Sequence, residues 1–181
     1  MLDFSKNYFE LFGLPVGFEV DGGRLADRYR DLQRAVHPDR YANAGGQEKR
    51  LSMQAATHLN DALNTLKKPL LRAQYLLKLK GVDMSADGGS ITDGNFLMEQ
   101  MALREELAGI KEQPDPYDAI AGLMNRIKSH IQSLLREISV QFEDDTPQAL
   151  EQAKESVSKL QFLYRLSAQV EELEEELDEA L

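Results

Sequence analysis

Apolar residues recur at intervals of three and four through most of this chain. Leu25, Tyr29, Leu32 and Val36 give the cleanest instance. At 100° per residue they cover about 60° of arc, one stripe of an amphipathic helix. Upstream, Tyr8-Phe9-Glu10-Leu11-Phe12-Gly13-Leu14-Pro15 reads as a short helical turn stopped by Gly13 and Pro15, with Asp21 able to cap the next helix. Pro38 ends that second helix, because it lacks an N–H and restricts His37. After a loop through Tyr41 to Gly46, periodicity resumes at Ala55, Ala56, Leu59, Ala62, Leu63 and Leu66. Two stripes of similar length with a short connection predict an antiparallel helical hairpin. The alanines allow close approach. Pro69 opens a short helix from Leu70 to Leu79, ended by Gly81.

Residues 81–93 are rich in Gly, Ser and Asp without apolar periodicity, and read as a linker or loop. Three further helices come after it. The first runs from about Asn95 to Glu112. The second has Asp115 as cap, Pro116 at its first position and a stripe of Ile120, Met124, Ile127, Ile131, Leu134, Ile138 and Phe142. The third opens at Thr146-Pro147 and carries Leu150, Ala153, Val157, Leu160 and Tyr164. The expected fold is therefore all-α: a helical hairpin with flanking short helices over residues 1–80, the connection at 81–93, and an antiparallel three-helix bundle over residues 94–181.

Composition narrows the chemistry. The chain has 181 residues, a net charge of −10 and no cysteine. Disulfides, thiolate catalysis and Cys-ligated metal sites are thereby excluded. The charge divides unevenly: residues 1–80 carry 13 Lys and Arg against 9 Asp and Glu, and the remainder carries 8 against 22. Such an offset suggests two units with different partners. An acidic second half disfavours nucleic acid there. No apolar run reaches the roughly 18 residues of a membrane span. The start has no signal-peptide character, so a cytoplasmic protein is expected. His37, His58 and His130 stand in no metal-ligand spacing, and no nucleophile or phosphate-loop motif occurs. Neither enzyme activity nor a cofactor or metal is expected. The glutamate-rich end from Glu171 reads as a solvated helix face with Val170, Leu173 and Leu177 inward. Its acids oppose the helix dipole, which favours fraying.

His37-Pro38-Asp39 means little alone, since a proline that stops a helix is commonplace. Its setting raises it. The tripeptide lies between paired amphipathic helices, beside a polar face bearing Arg24, Arg28, Arg30 and Arg34, with Arg40 after it. Together with Tyr8, Leu11, Gly13, Leu25, Tyr29, Leu32 and Ala62, this constellation resembles the J-domain family. That resemblance covers roughly residues 6–80. It implies that the tripeptide and the basic helix contact a DnaK-class chaperone and trigger its ATP hydrolysis. The competing use of the arginines, phosphate contacts on nucleic acid, is weakened by Asp27 and Asp31 on the same helix.

On the first helix of the second half, Phe96, Leu103, Leu107 and Ile110 share one stripe. Leu97, Met98, Met101 and Glu105 point about 100–200° away from Phe96. On the last helix Phe162 lies more than about 100° from the Leu150–Tyr164 stripe. If each helix of the bundle needs one face, these residues are surplus. They form either a wider core or packing against the first half, or a protein-binding patch, for which methionine is well suited. The run Phe96-Leu97-Met98-Glu99-Gln100-Met101-Ala102-Leu103-Arg104-Glu105-Glu106-Leu107 closely resembles the HscB family of J-type co-chaperones in iron–sulfur cluster biogenesis. So do the run from Pro69 to Leu77 and Lys159-Leu160-Gln161-Phe162-Leu163. The resemblance implies two partners, the specialised DnaK-like ATPase HscA and the cluster scaffold IscU. It implies a scaffold patch of Leu97, Met98, Met101, Glu105 and Phe162. Ala102 and Gly109 are neutral where the family often has acids, and Gln161 stands where it can have a base, so the polar rim departs from the pattern. A J-protein of a general DnaK system and a helical adaptor without a chaperone stay open as alternatives. The absence of a Gly/Phe-rich stretch after residue 80 argues against the first.

Overall fold

The computed structural model describes residues 3–37, 45–84, 91 and 93–179. Among them are seven α-helices, one 3-10 turn and no strand, so the chain is all-α. It forms two compact units, Met1–Leu76 and Leu77–Leu181.

In the first unit α1 (Tyr8–Phe12) is closed at both ends by local chemistry. The Asn7 side chain accepts the Glu10 N–H at 3.0 Å, and the Glu10 carboxylate accepts the Asn7 N–H at 3.0 Å. These reciprocal bonds satisfy two donors that a helix start leaves open. Gly13, at φ +62°, turns the chain so that Leu14 N–H reaches Phe9 C=O at 2.9 Å. A left-handed residue is needed there, and glycine takes that conformation without strain.

Asp21 caps α2 (Gly22–Val36), as expected, by accepting from Arg24 N–H at 3.0 Å. The helix stops at His37, whose extended backbone is the one favoured before proline. α3 (Gly46–Lys67) begins nine residues before the predicted stripe at Ala55, because its first turns are polar and carry no apolar period. Glu48 steadies that start by accepting the Gly45 N–H at 3.3 Å.

The α2–α3 pairing is antiparallel. Ser52 Oγ donates to Val36 C=O at 2.8 Å, and Tyr29 OH donates to Asn60 Oδ1 at 2.8 Å. Between the helices lie Leu25, Val36, Ala55, Leu59, Ala62 and Leu66, with Phe9 and Phe12 of α1 buried alongside. On α4 (Pro69–Leu79), Tyr75 stacks on Tyr8 at 4.5 Å and its hydroxyl accepts the Tyr8 N–H at 3.0 Å. Burial there pushes the Tyr75 phenol above its usual 10.0.

The second unit holds α5 (Gly94–Gly109), a 3-10 turn (Ile110–Glu112), α6 (Pro116–Asp144) and α7 (Pro147–Glu179). Asp115 caps α6 ahead of Pro116, and Thr146 Oγ1 accepts the Ala149 N–H at 3.2 Å ahead of Pro147. All seven residues of the expected α6 stripe are buried, and Leu123 joins them. On α7, Ala153, Val157 and Leu160 are buried as expected, while Leu150 and Tyr164 are half-buried. The premise of one core face per helix fails on this helix. Phe162, Leu163, Leu166 and Val170 are buried too, because a helix in a three-helix bundle meets two neighbours and must bury a face against each. The acidic end is helical through Glu179. Lys111 reaches Glu176 at 2.8 Å, and Tyr117 OH reaches Asp178 at 2.9 Å.

Candidate functional site

Two surfaces carry the residues singled out by the sequence. The first is the polar face of α2. His37 is exposed at its C-terminal end. Pro38, Asp39 and Arg40 lie outside the described residues. Of the arginines, Arg24 and Arg28 turn toward α1. Arg24 Nη2 donates to Gly13 C=O at 3.0 Å, and Arg28 Nε to Phe12 C=O at 3.3 Å. A five-residue helix leaves its last carbonyls without intrahelical donors, and these guanidinium groups supply them. All four arginines lie outside the apolar stripe, as expected, and all are exposed, but two of them also tie α2 to α1. Arg28 also sits so close that a methyl at Gly13 would stand 3.1 Å from its Nη2. Arg30 contacts Asp27, and Arg34 Nη1 lies 3.6 Å from Asp31. These are exposed pairs one helical turn apart, worth about 0.3–0.5 kcal/mol each.

The second surface is one face of α5. Phe96 and Leu103 point into the bundle, followed by Ile110 in the 3-10 turn. On the other side Leu97 is 41% exposed, Met98 73% and Met101 72%. Glu105 and Ala102 are exposed beside them, with Gly109 and Gln161 half-buried. The spacing of three and four places the apolar trio and Glu105 on one solvent-facing strip.

Phe162 departs from the expectation that it shares this exposed strip. It is only 8% exposed, its ring meets Phe96 edge-on at 5.8 Å, and the Arg104 guanidinium lies 5.3 Å from its centroid. It is a buried support beneath α5. The helical wheel placed it away from the α6-facing stripe correctly, but that second face is covered by α5.

Several residues that hold α5 escaped the sequence reading. Asp93 caps it through Oδ1, accepting Asn95 N–H at 3.0 Å and Phe96 N–H at 3.2 Å, and its Oδ2 takes Lys159 Nζ at 2.7 Å. The Lys159 ammonium first, then the Phe96 N–H, hold the Asp93 carboxyl below its usual 3.8. His130 Nδ1 lies 2.9 Å from Glu99, and Arg126 contacts Glu106. An Asp just before an apolar run was a visible cap signal for Asp93. Nothing local marked Lys159, which lies 66 residues away in the chain.

Among the described residues no group of three or more His, Asp and Glu side chains is placed to hold a metal ion, and no helix is long and apolar enough to cross a membrane. The two surfaces differ in character: one is charged and polar, the other apolar with an acidic edge.

Residues 92–171 match the family described as the HSCB C-terminal oligomerisation domain. A co-chaperone protein HscB homologue of Shewanella loihica is 43% identical over 171 residues, covering 94% of this chain and 99% of the relative. The structure of chaperone HscB from Vibrio cholerae superposes with a TM-score of 0.84 at 38% identity, covering 95% of this chain and 99% of that one. Human co-chaperone HscB gives a TM-score of 0.84 at 31% identity, with 95% and 84% covered. Likeness at this level, over nearly the whole length, shows that the chain belongs to the HscB family of J-domain co-chaperones.

Proposed function

We propose that the chain bridges two proteins in iron–sulfur cluster assembly, in the cytoplasm of a bacterium. The segment up to residue 80 recruits the DnaK-class ATPase HscA through His37, Pro38 and Asp39, aided by Arg24, Arg28, Arg30, Arg34 and Arg40. The segment from residue 94 holds the scaffold IscU on Leu97, Met98 and Met101, edged by Glu105 and supported from below by Phe162. Residues 81–93 join them. The protein acts by binding and contributes no catalytic group. Hydrolysis takes place in the partner.

The observation that carries this reading is the exposed apolar strip on α5. Three large side chains stand in solvent on a bundle whose other helices turn their leucines and isoleucines inward. Adjacent exposed apolar groups on one face suit a partner surface. Each contributes about 1.5–3 kcal/mol if fully buried, before ordering costs. Thioethers adapt to an irregular partner at low cost. In the first unit, His37 stands exposed where α2 stops, free of the cost of uncovering a buried group before a partner docks.

Calorimetric titration with IscU and then HscA tests both ends. Steady-state ATPase assays separate them. His37→Gln is expected to abolish stimulation of HscA while leaving helicity and thermal stability unchanged, because His37 is exposed. Undiminished stimulation by that variant overturns the assignment of the loop.

A further inference from the structure

We propose that the clasp formed by Lys159 and Glu155 of α7 with Asp93 is a positioning device for the client face of α5, with Lys159 as its central residue. The inference rests on the reading of Leu97, Met98 and Met101 as the scaffold's docking strip.

Asp93 is engaged at every polar group. Oδ1 receives the N–H groups of Asn95 and Phe96, and Oδ2 receives Lys159 Nζ at 2.7 Å. Its own N–H donates to Glu155 Oε1 at 3.0 Å, and its C=O accepts the Leu97 N–H at 3.0 Å. Lys159 lies 3.8 Å from Glu155 and 5.5 Å above the Phe96 ring, with only 16% of its side chain exposed. The first turn of α5 is thus pinned to α7 by two bonds to one residue, and Leu97 is hydrogen-bonded directly to that residue.

The position of this clasp matters because the docking strip lies between the buried anchors of α5. Between Phe96 and Leu103 no side chain is buried, and those positions carry the whole apolar trio. Their presentation depends on Phe96 and the clasp at one end and Leu103 at the other, with the Glu99–His130 contact on the flank. An N-terminal turn without its cap partners frays. A frayed turn presents Leu97 and Met98 in many orientations. The fraction of molecules ready to bind then falls, and apparent affinity falls by the same factor.

The test uses the full chain titrated with IscU, alongside amide exchange. Lys159→Met keeps the aliphatic stem over Phe96 and removes the charge. Asp93→Asn keeps a good cap and removes the ion pair. Each is expected to weaken scaffold binding about fivefold and to quicken exchange of the amides from Phe96 to Met101, leaving α6 amides unchanged. The double variant is expected to be no worse than either single one, and Lys159→Arg to lie within about twofold of wild type. A residue that merely stabilised the bundle would move α6 exchange equally. Unchanged binding in both Lys159→Met and Asp93→Asn overturns the proposal, as does equal weakening by the methionine and arginine variants. Met98→Ala with Met101→Ala is the control for the underlying reading. If that pair binds as wild type, the docking strip itself is wrong. If it weakens binding while the clasp variants do not, only the positioning role fails.

Discussion

Each of the four arginines on α2 has an acceptor within its own unit, whereas Leu97, Met98 and Met101 on α5 stand in solvent. The two faces therefore meet a partner from different starting points. A partner docking on α2 competes with bonds already made, to Gly13 and Phe12 carbonyls and to Asp27 and Asp31. The net gain per contact is small, and such a surface serves orientation and rate of encounter more than affinity. A partner docking on α5 displaces only water, and most of the apolar area it covers counts toward affinity. One face is ordered and partly neutralised in advance; the other is held open by its neighbours. The contrast predicts a salt-sensitive end and a salt-insensitive end on one chain.

The largest effect is expected where the apolar strip is removed. Replacing Leu97, Met98 and Met101 together by Ala is expected to weaken binding of the proposed partner IscU by about a hundredfold or more, at roughly 1 kcal/mol or more per truncated side chain. The melting temperature barely changes, because these side chains are exposed. Phe162→Ala sharpens the comparison from beneath. It removes a buried ring packed on Phe96 and Arg104, at a cost of about 3 kcal/mol in stability. In a chain this long that lowers the melting temperature by about 6–12 °C. Binding loss with no shift in melting for the triple variant, set against a large shift for Phe162→Ala, separates strip from support. If the triple variant melts as early as Phe162→Ala, α5 buries that face and the comparison with α2 collapses.

A smaller effect divides the α2 arginines. Arg24→Ala with Arg28→Ala removes donors from α1's last carbonyls and is expected to cost the first unit about 1–2 kcal/mol. Arg30→Ala with Arg34→Ala is expected to cost less than about 0.5 kcal/mol, and to slow association with the proposed partner HscA a few-fold with a shallower salt dependence. Denaturant melts and stopped-flow association measure the two outcomes. Equal stability loss in both pairs contradicts the division. The sequence could not foretell it. The wheel placed all four arginines outside the apolar stripe correctly, but the acceptors of Arg24 and Arg28 are backbone oxygens at the end of another helix. Legible in the sequence were features decided within a turn or two: the Asp21 and Asp115 caps, the proline stops, and the α6 stripe from Ile120 to Phe142. Periodicity set Phe162 apart from the main α7 stripe but left open whether it packs or stands exposed, because it counts faces without knowing how many neighbours a helix has. Lys159 falls in a run that resembles the family, but its bond to Asp93 was hidden, since a partner 66 residues away leaves no local trace.

The smallest effect is a pH dependence that belongs to α5 and not to α2. The Asp93 carboxyl is held below 3.8 chiefly by Lys159 and then by the Phe96 N–H, with Glu155 nearby as a second carboxylate on the same ammonium. A carboxyl with a lowered folded-state pKa contributes stability that is full above its unfolded value and disappears as pH falls through the folded one. Wild type should therefore exceed Asp93→Asn in the stability of the second unit by a constant margin at neutral and mildly acid pH. That margin should close as the pH drops below about 3.8. Amide exchange along α5 in both proteins, monitored from about pH 6 down to about pH 3, measures it. A margin that persists undiminished at the acid end means the charge of the Asp93 carboxylate, and with it the ion pair to Lys159, does not hold the helix. The α2 face provides the contrast within the same titration. It belongs to the other compact unit, so the wild-type and Asp93→Asn curves should coincide for the amides of α2.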